Sequence, residues 1–169
     1  PTRWGLAMSW RMSSISAPAR RAEERMRRAI EVARTTPVGD VPVGAVVFGP
    51  NGEVLGTGVN RREAGNDPTA HAEVEAIQQA CETLGRWRLD GCELVVTLEP
   101  CTMCAGAVLG ARVSSLIFGA WEPKTGAVGS VLDAIRDPRH LHTPEVRGGV
   151  LETETARLLG DFFEDVRSN

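Results

Sequence analysis

The chain has 169 residues, 42% of them hydrophobic, and a formal net charge of -3. This size and composition suit one globular domain with a complete core, and no apolar run approaches the roughly 20 residues of a transmembrane helix. Residues 1–20 carry no long apolar stretch of the signal-peptide kind, and the negative charge excludes a protein that binds nucleic acid through an overall positive field.

Residues 1–18 combine Trp, Met, Ser and Arg without periodicity. We interpret them as an N-terminal extension ahead of a single domain, residues 19–169. From Ala19 onward, apolar residues recur at helical spacing and predict the first helix. They are Ala22, Met26, Ala29, Ile30 and Ala33.

A hairpin and a second helix are predicted next. Residues 41–48 are rich in β-branched side chains and predict a strand, residues 49–52 form a Gly-Pro-Asn-Gly turn, and residues 54–60 predict the returning strand. Residues 69–84 predict a helix, with Gly85 as its stop signal.

The second half of the chain continues the alternation of strands and helices. Residues 92–98 predict a central strand, and Pro100 opens the following helix, since proline is tolerated in a first helical turn. Two further strands are predicted, at residues 114–120 and 145–151. Residues 152–167 predict a C-terminal helix with an apolar stripe of Ala156, Leu159, Phe162, Phe163 and Val166. This alternation indicates a layered α/β domain with a mixed sheet.

Two short motifs supply metal-ligand chemistry: His71-Ala72-Glu73 and Pro100-Cys101-Thr102-Met103-Cys104. One imidazole and two thiolates can fill three positions around a tetrahedral zinc, and three protein ligands leave the fourth position open for water, as in catalytic zinc sites. Both motifs fall at predicted helix N-termini, which lower the pKa of a thiol and favour a nearby carboxylate. Glu73 is close enough to such a water to transfer protons and is not needed as a ligand.

A lone Cys-x-x-Cys also occurs in redox pairs and in structural zinc sites. A redox pair would not need the His-x-Glu motif, and a structural site would need a fourth ligand. The other cysteines, Cys81 and Cys92, form no second pair, and His140 and His142 lie far downstream. We therefore favour a catalytic zinc, and we interpret Cys81 as a small buried apolar residue. With two of four cysteines assigned to metal, we expect no disulfide framework and a reducing, cytoplasmic location.

The order His-x-Glu, then Pro-Cys-x-x-Cys, is the signature of zinc-dependent nucleoside and nucleobase deaminases. Further motifs make the chain resemble the bacterial tRNA-specific adenosine deaminases over residues 22–167. They are Val41-Pro42-Val43-Gly44-Ala45, Asn60-Arg61, Asp67-Pro68-Thr69-Ala70, Thr97-Leu98-Glu99, Phe118-Gly119-Ala120, Lys124-Thr125-Gly126-Ala127 and Gly129-Ser130.

The resemblance implies a three-layer α/β/α cytidine-deaminase-like fold with a five-stranded mixed sheet, working as a homodimer with one zinc ion per subunit. It implies hydrolytic deamination of adenosine to inosine at the wobble position of a tRNA, usually an arginine tRNA. The partner would be the anticodon stem-loop, with no organic cofactor and no membrane.

The resemblance also implies roles for individual residues. His71, Cys101 and Cys104 would bind zinc, Glu73 would be the catalytic proton shuttle beside the zinc-activated hydroxide, and Asn60 would contact the base. The remaining pocket-lining positions are Pro42, Val43, Ala72 and Leu98.

Two alternatives keep the same zinc motif. A free-nucleobase deaminase acting on guanine or cytosine is disfavoured by Asn60-Arg61 and by residues 67–73 and 124–130, which are of the tRNA-deaminase type. A non-catalytic RNA-binding subunit of the same fold is disfavoured because Glu73 is present. Glu122 and Leu141 stand where relatives often carry Asp and Asn, and these departures concern substrate recognition rather than the metal site.

Overall fold

A computed structural model describes residues 15–168. The helices are α1 (Ala17–Ala33), α2 (Ala72–Leu84), α3 (Thr102–Gly110) and α4 (Glu152–Ser168). The strands are β1 (Gly44–Phe48), β2 (Val54–Val59), β3 (Glu93–Leu98), β4 (Ser115–Ala120) and β5 (Glu145–Arg147). Over this range the strands form one sheet in the order β2-β1-β3-β4-β5. β1 is antiparallel to β2 and β3, whereas β3, β4 and β5 run parallel.

Side chains alternate between the two faces of the sheet, as the period of a β-strand requires. On β3, Leu94 and Val96 belong to the core beneath α2 and α3, whereas Val95 belongs to the core shared with α1. α4 packs against β4. Because both faces are covered by helices, β1, β3 and β4 are buried along almost their whole length. The predicted three-layer α/β/α fold with a five-stranded mixed sheet is confirmed.

Glycines on β2 allow α2 to lie close to the sheet. A Cβ atom at Gly58 would lie 2.1 Å from the carbonyl oxygen of Ala72, the first residue of α2. A Cβ atom at Gly56 would lie 2.4 Å from the carbonyl oxygen of Ala76. The close distance between α2 and the sheet therefore depends on glycine at positions 56 and 58.

Several element ends differ from the predictions. α1 begins at Ala17, two residues before the predicted domain start, and residues 1–14 of the predicted extension lie outside the described range. α2 begins at Ala72 rather than at residue 69, because the Asp67 carboxylate accepts hydrogen bonds from both the backbone N–H and the hydroxyl of Thr69, which holds a turn instead. β5 ends at Arg147, since the following Gly148 packs directly on the Phe118 ring.

The predicted apolar stripe of α4 is only partly buried, with Leu159 and Phe162 half-buried. Phe163 is 48% exposed and Val166 is 58% exposed, and Ala156 is also exposed. The buried position is instead Thr155, which packs beside Gly119 of β4. A Cβ atom at residue 119 would lie 2.6 Å from the Thr155 side chain, so this contact requires glycine on β4. Among the described residues, no helix is both long and apolar enough to cross a membrane.

Candidate metal centre and active site

Two helix N-termini meet beyond the carboxyl end of β3. The chain leaves β3 at Leu98 and reaches Cys101, the N-cap residue of α3. His71 is the N-cap residue of α2, and its side chain makes no capping hydrogen bond to that helix. Both side chains thus lie at helix N-termini, whose dipoles favour negative ligands.

The three predicted ligands are brought together. The Nδ1 atom of His71 lies 3.6 Å from the Sγ atom of Cys101 and 3.5 Å from that of Cys104. All three ligand atoms lie within 4.8 Å of one another, and this is the one such cluster of three found among the described residues. Tetrahedral zinc, with bonds of about 2.0 Å to nitrogen and about 2.3 Å to sulfur, needs ligand separations of about 3.5 Å. The donor set and its spacing therefore fit zinc.

The side chains of Cys101 and Cys104 are hydrogen-bonded to each other. This contact lowers the pKa of Cys101 to about 3. The same contact, together with burial, raises the pKa of Cys104 above its usual range. A divalent cation that binds both sulfurs would require both thiols to lose their protons.

Glu73 lies in the first turn of α2, two residues beyond His71, and is only 4% exposed. Burial raises the pKa of its carboxyl group to about 6. A carboxyl group with a pKa this near neutrality can both accept and donate a proton under physiological conditions. This property suits the role of a proton shuttle.

A cavity of about 190 Å³ opens beside the cluster. His71, Glu73 and Cys101 contribute to its wall, whereas Cys104 is fully buried. Four of the five residues predicted to contact substrate also line it: Asn60, Val43, Ala72 and Leu98. The fifth, Pro42, lies in a neighbouring surface depression with Pro37 and Phe162.

The amide of Asn60 has a fixed orientation. Its Nδ2 atom donates to the carbonyl oxygen of Val41 at 3.1 Å, and its Oδ1 atom accepts from the backbone N–H of Arg62 at 3.2 Å. Both ends of the amide thus have partners within the chain, which define its orientation beside the cavity.

The cavity wall also contains residues to which the sequence analysis assigned no pocket role. They are Val41, Arg62, Glu99, Glu122, Thr125, Leu159 and Phe163. Thr125 lies in the Lys124-Thr125-Gly126-Ala127 motif, and Glu122, where relatives often carry Asp, lies just before it, so a loop near the site could be anticipated. Leu159 and Phe163 come from α4, and no sequence signal links that helix to the cavity. Cys81 is only half-buried, and its thiol contacts the carbonyl oxygen of Trp87.

Comparison with known proteins assigns the family. Residues 19–120 match the family model described as the cytidine and deoxycytidylate deaminase zinc-binding region. The chain belongs to this zinc-dependent deaminase family.

Two relatives indicate which members of the family are similar to this chain. The tRNA-specific adenosine deaminase of Bacillus subtilis (strain 168) is 45% identical over 143 residues, which cover 84% of this chain and 88% of the relative. A tRNA(Ile)-lysidine synthase of Deinococcus deserti is 45% identical over 154 residues, which cover 90% of this chain and 29% of the relative. The chain therefore spans less than a third of that second protein.

Solved structures agree with this grouping. One structure, from a study of A-to-I editing by tRNA:A34 deaminases at the wobble position of transfer RNA, has a TM-score of 0.74 and 45% identity, covering 79% of this chain and 97% of the other. A guanine deaminase from Nitrosomonas europaea has a TM-score of 0.69 but 28% identity, covering 88% of this chain and 93% of the other. Sequence identity is thus higher to the tRNA deaminase structure.

Proposed function

We propose that this chain is a zinc-dependent tRNA adenosine deaminase that converts adenosine to inosine at the wobble position of an anticodon stem-loop, in an arginine tRNA. The observation that carries the proposal is the three-ligand cluster of His71, Cys101 and Cys104 at a cavity whose wall includes the buried carboxyl group of Glu73. The identity of 45% to a tRNA-specific adenosine deaminase supports the choice of substrate. Such a substrate places the activity in the cytoplasm.

The ligand set defines what the metal would do. His71, Cys101 and Cys104 would hold zinc, leaving one coordination position open. When bound, zinc lowers the pKa of a coordinated water towards neutrality and so supplies hydroxide near pH 7. No organic cofactor is needed for a hydrolysis of this kind.

Glu73 moves the protons. Its carboxylate takes one proton from the attacking water and delivers it to the ring nitrogen beside C6 of adenine. A further proton reaches the exocyclic amino group, which leaves as ammonia while C6 keeps the oxygen. Adenosine and water thus give inosine and ammonia. The pKa of about 6 lets Glu73 alternate between its two protonation states at neutral pH.

The remaining predicted residues hold the base. Val43, Ala72 and Leu98 supply apolar wall, and Asn60 supplies an amide of fixed orientation. Pro42 lies in the adjoining depression, where it would contact a part of the substrate that stays outside the cavity. A base must leave its stack to enter such a site, and this is easier from a single-stranded loop than from a duplex.

We further propose that the enzyme is a homodimer. The proposal rests on the family resemblance, and the exposed side chains of Val131, Leu132 and Leu141 (53%, 55% and 93% exposed) are available for such an interface. Light scattering coupled to size-exclusion chromatography would test this proposal, and a monomeric mass would contradict it.

The function is tested by one comparative assay on zinc-loaded protein. One arm offers an arginine-tRNA anticodon stem-loop with A at the wobble position, with inosine read as A-to-G in sequencing. The other arm offers free guanine, cytosine and adenosine, with ammonia as the readout. Wobble inosine without small-molecule turnover is expected. Turnover of guanine or cytosine alone would keep the zinc chemistry and overturn the tRNA substrate.

A further inference from the structure

Arg62 lies at the wall of the active-site cavity. Among the described residues that line this cavity, it is the only arginine or lysine. Its guanidinium group is 3.4 Å from the carboxylate of the adjacent Glu63, and the two side chains are 54% and 65% exposed. An ion pair between such exposed neighbours contributes little and is readily exchanged for another anion.

The backbone that carries Arg62 is held by a buried carboxylate. Asp40 is 2% exposed, and it accepts hydrogen bonds from the backbone N–H groups of Glu63 at 2.7 Å and Ala64 at 2.9 Å. Burying a carboxylate is costly unless hydrogen bonds satisfy it. The conformation of residues 60–67, which we call the Asp40-anchored loop, is therefore specified by the fold.

The Asp40-anchored loop also joins Arg62 to the predicted base contact. The backbone N–H of Arg62 donates to Asn60 Oδ1 at 3.2 Å, and the carbonyl oxygen of Arg62 accepts from Asp67 at 3.1 Å. The backbone of Arg62 is thus tied to the residue that would contact the target base. A cationic side chain at position 62 would contact the portion of the substrate that is adjacent to the target base.

Arg61 provides an internal contrast. Its Nε atom donates to Glu75 at 2.9 Å, and the same carboxylate accepts from the backbone N–H of Val59 at 2.7 Å. This arginine is therefore engaged in joining the end of β2 to α2, and it does not line the cavity. Two adjacent arginines consequently have different roles.

We propose that Arg62 binds a backbone phosphate of the nucleotide adjacent to the target adenosine, and that Asp40 positions Arg62 through the Asp40-anchored loop. This inference rests on the proposed function and adds a specific contact to it. A guanidinium group matches the oxygens of a phosphate with two parallel hydrogen bonds. A free nucleobase carries no phosphate, so this contact would favour a polynucleotide substrate.

The test compares zinc-loaded wild type, Arg62→Gln and Arg61→Gln on an anticodon stem-loop RNA with A at the wobble position. For Arg62→Gln we expect KM to rise about 5- to 50-fold with little change in kcat, because a charge-assisted contact is lost. The slope of log(kcat/KM) against log salt should become shallower by about one unit, as for the loss of one phosphate contact. Arg61→Gln should keep the wild-type salt slope.

Asp40 is tested as a positioning residue by a double-mutant cycle. Asp40→Asn should raise KM in the presence of Arg62 but add little to Arg62→Gln, because both changes remove the same contact. Additive effects on KM would show that Asp40 acts independently of Arg62, and would overturn its role as the positioning residue.

The outcomes separate this inference from the function on which it rests. A wild-type enzyme without activity on the RNA would overturn the proposed function and the phosphate contact with it. An active wild type whose KM and salt slope are both unchanged by Arg62→Gln would overturn the phosphate contact alone.

Discussion

The carboxylate of Glu99 accepts a hydrogen bond from the backbone N–H of Val128 at 3.0 Å. It also accepts from the backbone N–H groups of Glu122 at 2.9 Å and Ser130 at 3.0 Å, and from the Ser130 hydroxyl. Glu99 lies two residues before Cys101, a proposed zinc ligand, and it is only 2% exposed. One buried carboxylate therefore attaches the loop after β4, part of the cavity wall, to the segment that carries Cys101.

This attachment predicts a pH-dependent loss of stability in Glu99→Gln. Burial raises the pKa of Glu99, but hydrogen bonds from Ser130, Glu122 and Val128 outweigh it and hold the pKa below the usual 4.5. A lowered carboxyl pKa contributes stability above pH 4.5 that is lost as the pH falls through the folded-state pKa. We expect Glu99→Gln to cost about 1–3 kcal/mol at neutral pH.

The measurement is denaturant unfolding of wild type and Glu99→Gln at pH 7 and at several lower pH values, with chelator present throughout so that metal release does not contribute. The difference in unfolding free energy should shrink as the carboxyl group of the wild type becomes protonated. A difference that stays constant with pH would show that the ionised carboxylate is not the cause.

Glu73→Gln should abolish most turnover and keep the metal. The substitution preserves size but removes the group that transfers protons, and such groups contribute about 10²- to 10⁴-fold to rates. We expect kcat on the stem-loop RNA to fall by this factor, with metal analysis showing wild-type zinc content. Turnover within a few-fold of wild type would refute the assignment of Glu73 as the proton shuttle.

The parts of the site predicted from sequence are those encoded by short spacings. His71 and Glu73 are two residues apart, and Cys101 and Cys104 are three apart, so local geometry limits where each pair can point. Each ligand segment was also predicted to open a helix, and the structure has helix N-caps at His71 and Cys101. The alternation of strands and helices similarly indicated the layers of the fold.

The unpredicted parts depend on packing between distant segments. Phe163 lies on the cavity wall, and its helix α4 packs on β4 where Thr155 meets Gly119. Helical periodicity shows that α4 has an apolar stripe, but not which surface lies opposite it. Asp40 is likewise an acid in a loop, and nothing in the local sequence marks it as a buried anchor.

Cys101→Ala should lose zinc and the stability that zinc supplies. Metal affinity is coupled to folding, because the three-ligand cluster exists only in the folded chain. The wild type should show a drop in melting temperature when chelator is added, whereas Cys101→Ala should melt at the same temperature with and without chelator. Cys81→Ser is the matched control, since that thiol lies outside the ligand cluster. Full zinc occupancy in Cys101→Ala would exclude Cys101 as a ligand.

Gly58→Ala should disturb both the fold and the metal site. The new Cβ atom would lie 2.1 Å from the carbonyl oxygen of Ala72 and 2.6 Å from the backbone nitrogen of Ala76. Both atoms belong to the helix backbone and cannot rotate away, so the first turn of α2 must move. Overpacking of this kind costs about 1–3 kcal/mol. Because Ala72 separates His71 from Glu73, we also expect weaker zinc binding and a lower kcat.

Substitutions at two other glycines distinguish a local effect on the metal site from a general loss of stability. In Gly56→Ala the new Cβ atom would meet the backbone of Ala76 and Ala80, one turn further along α2. This variant should lose similar stability with a smaller loss of zinc affinity. Gly160→Ala in α4 meets nothing within 4 Å, and the higher helix propensity of alanine should stabilise it by up to about 1 kcal/mol. Denaturant unfolding measures the stability of each variant, and competitive zinc titration measures its zinc affinity. If Gly58→Ala and Gly56→Ala weakened zinc binding equally, the first turn of α2 would not be what places His71.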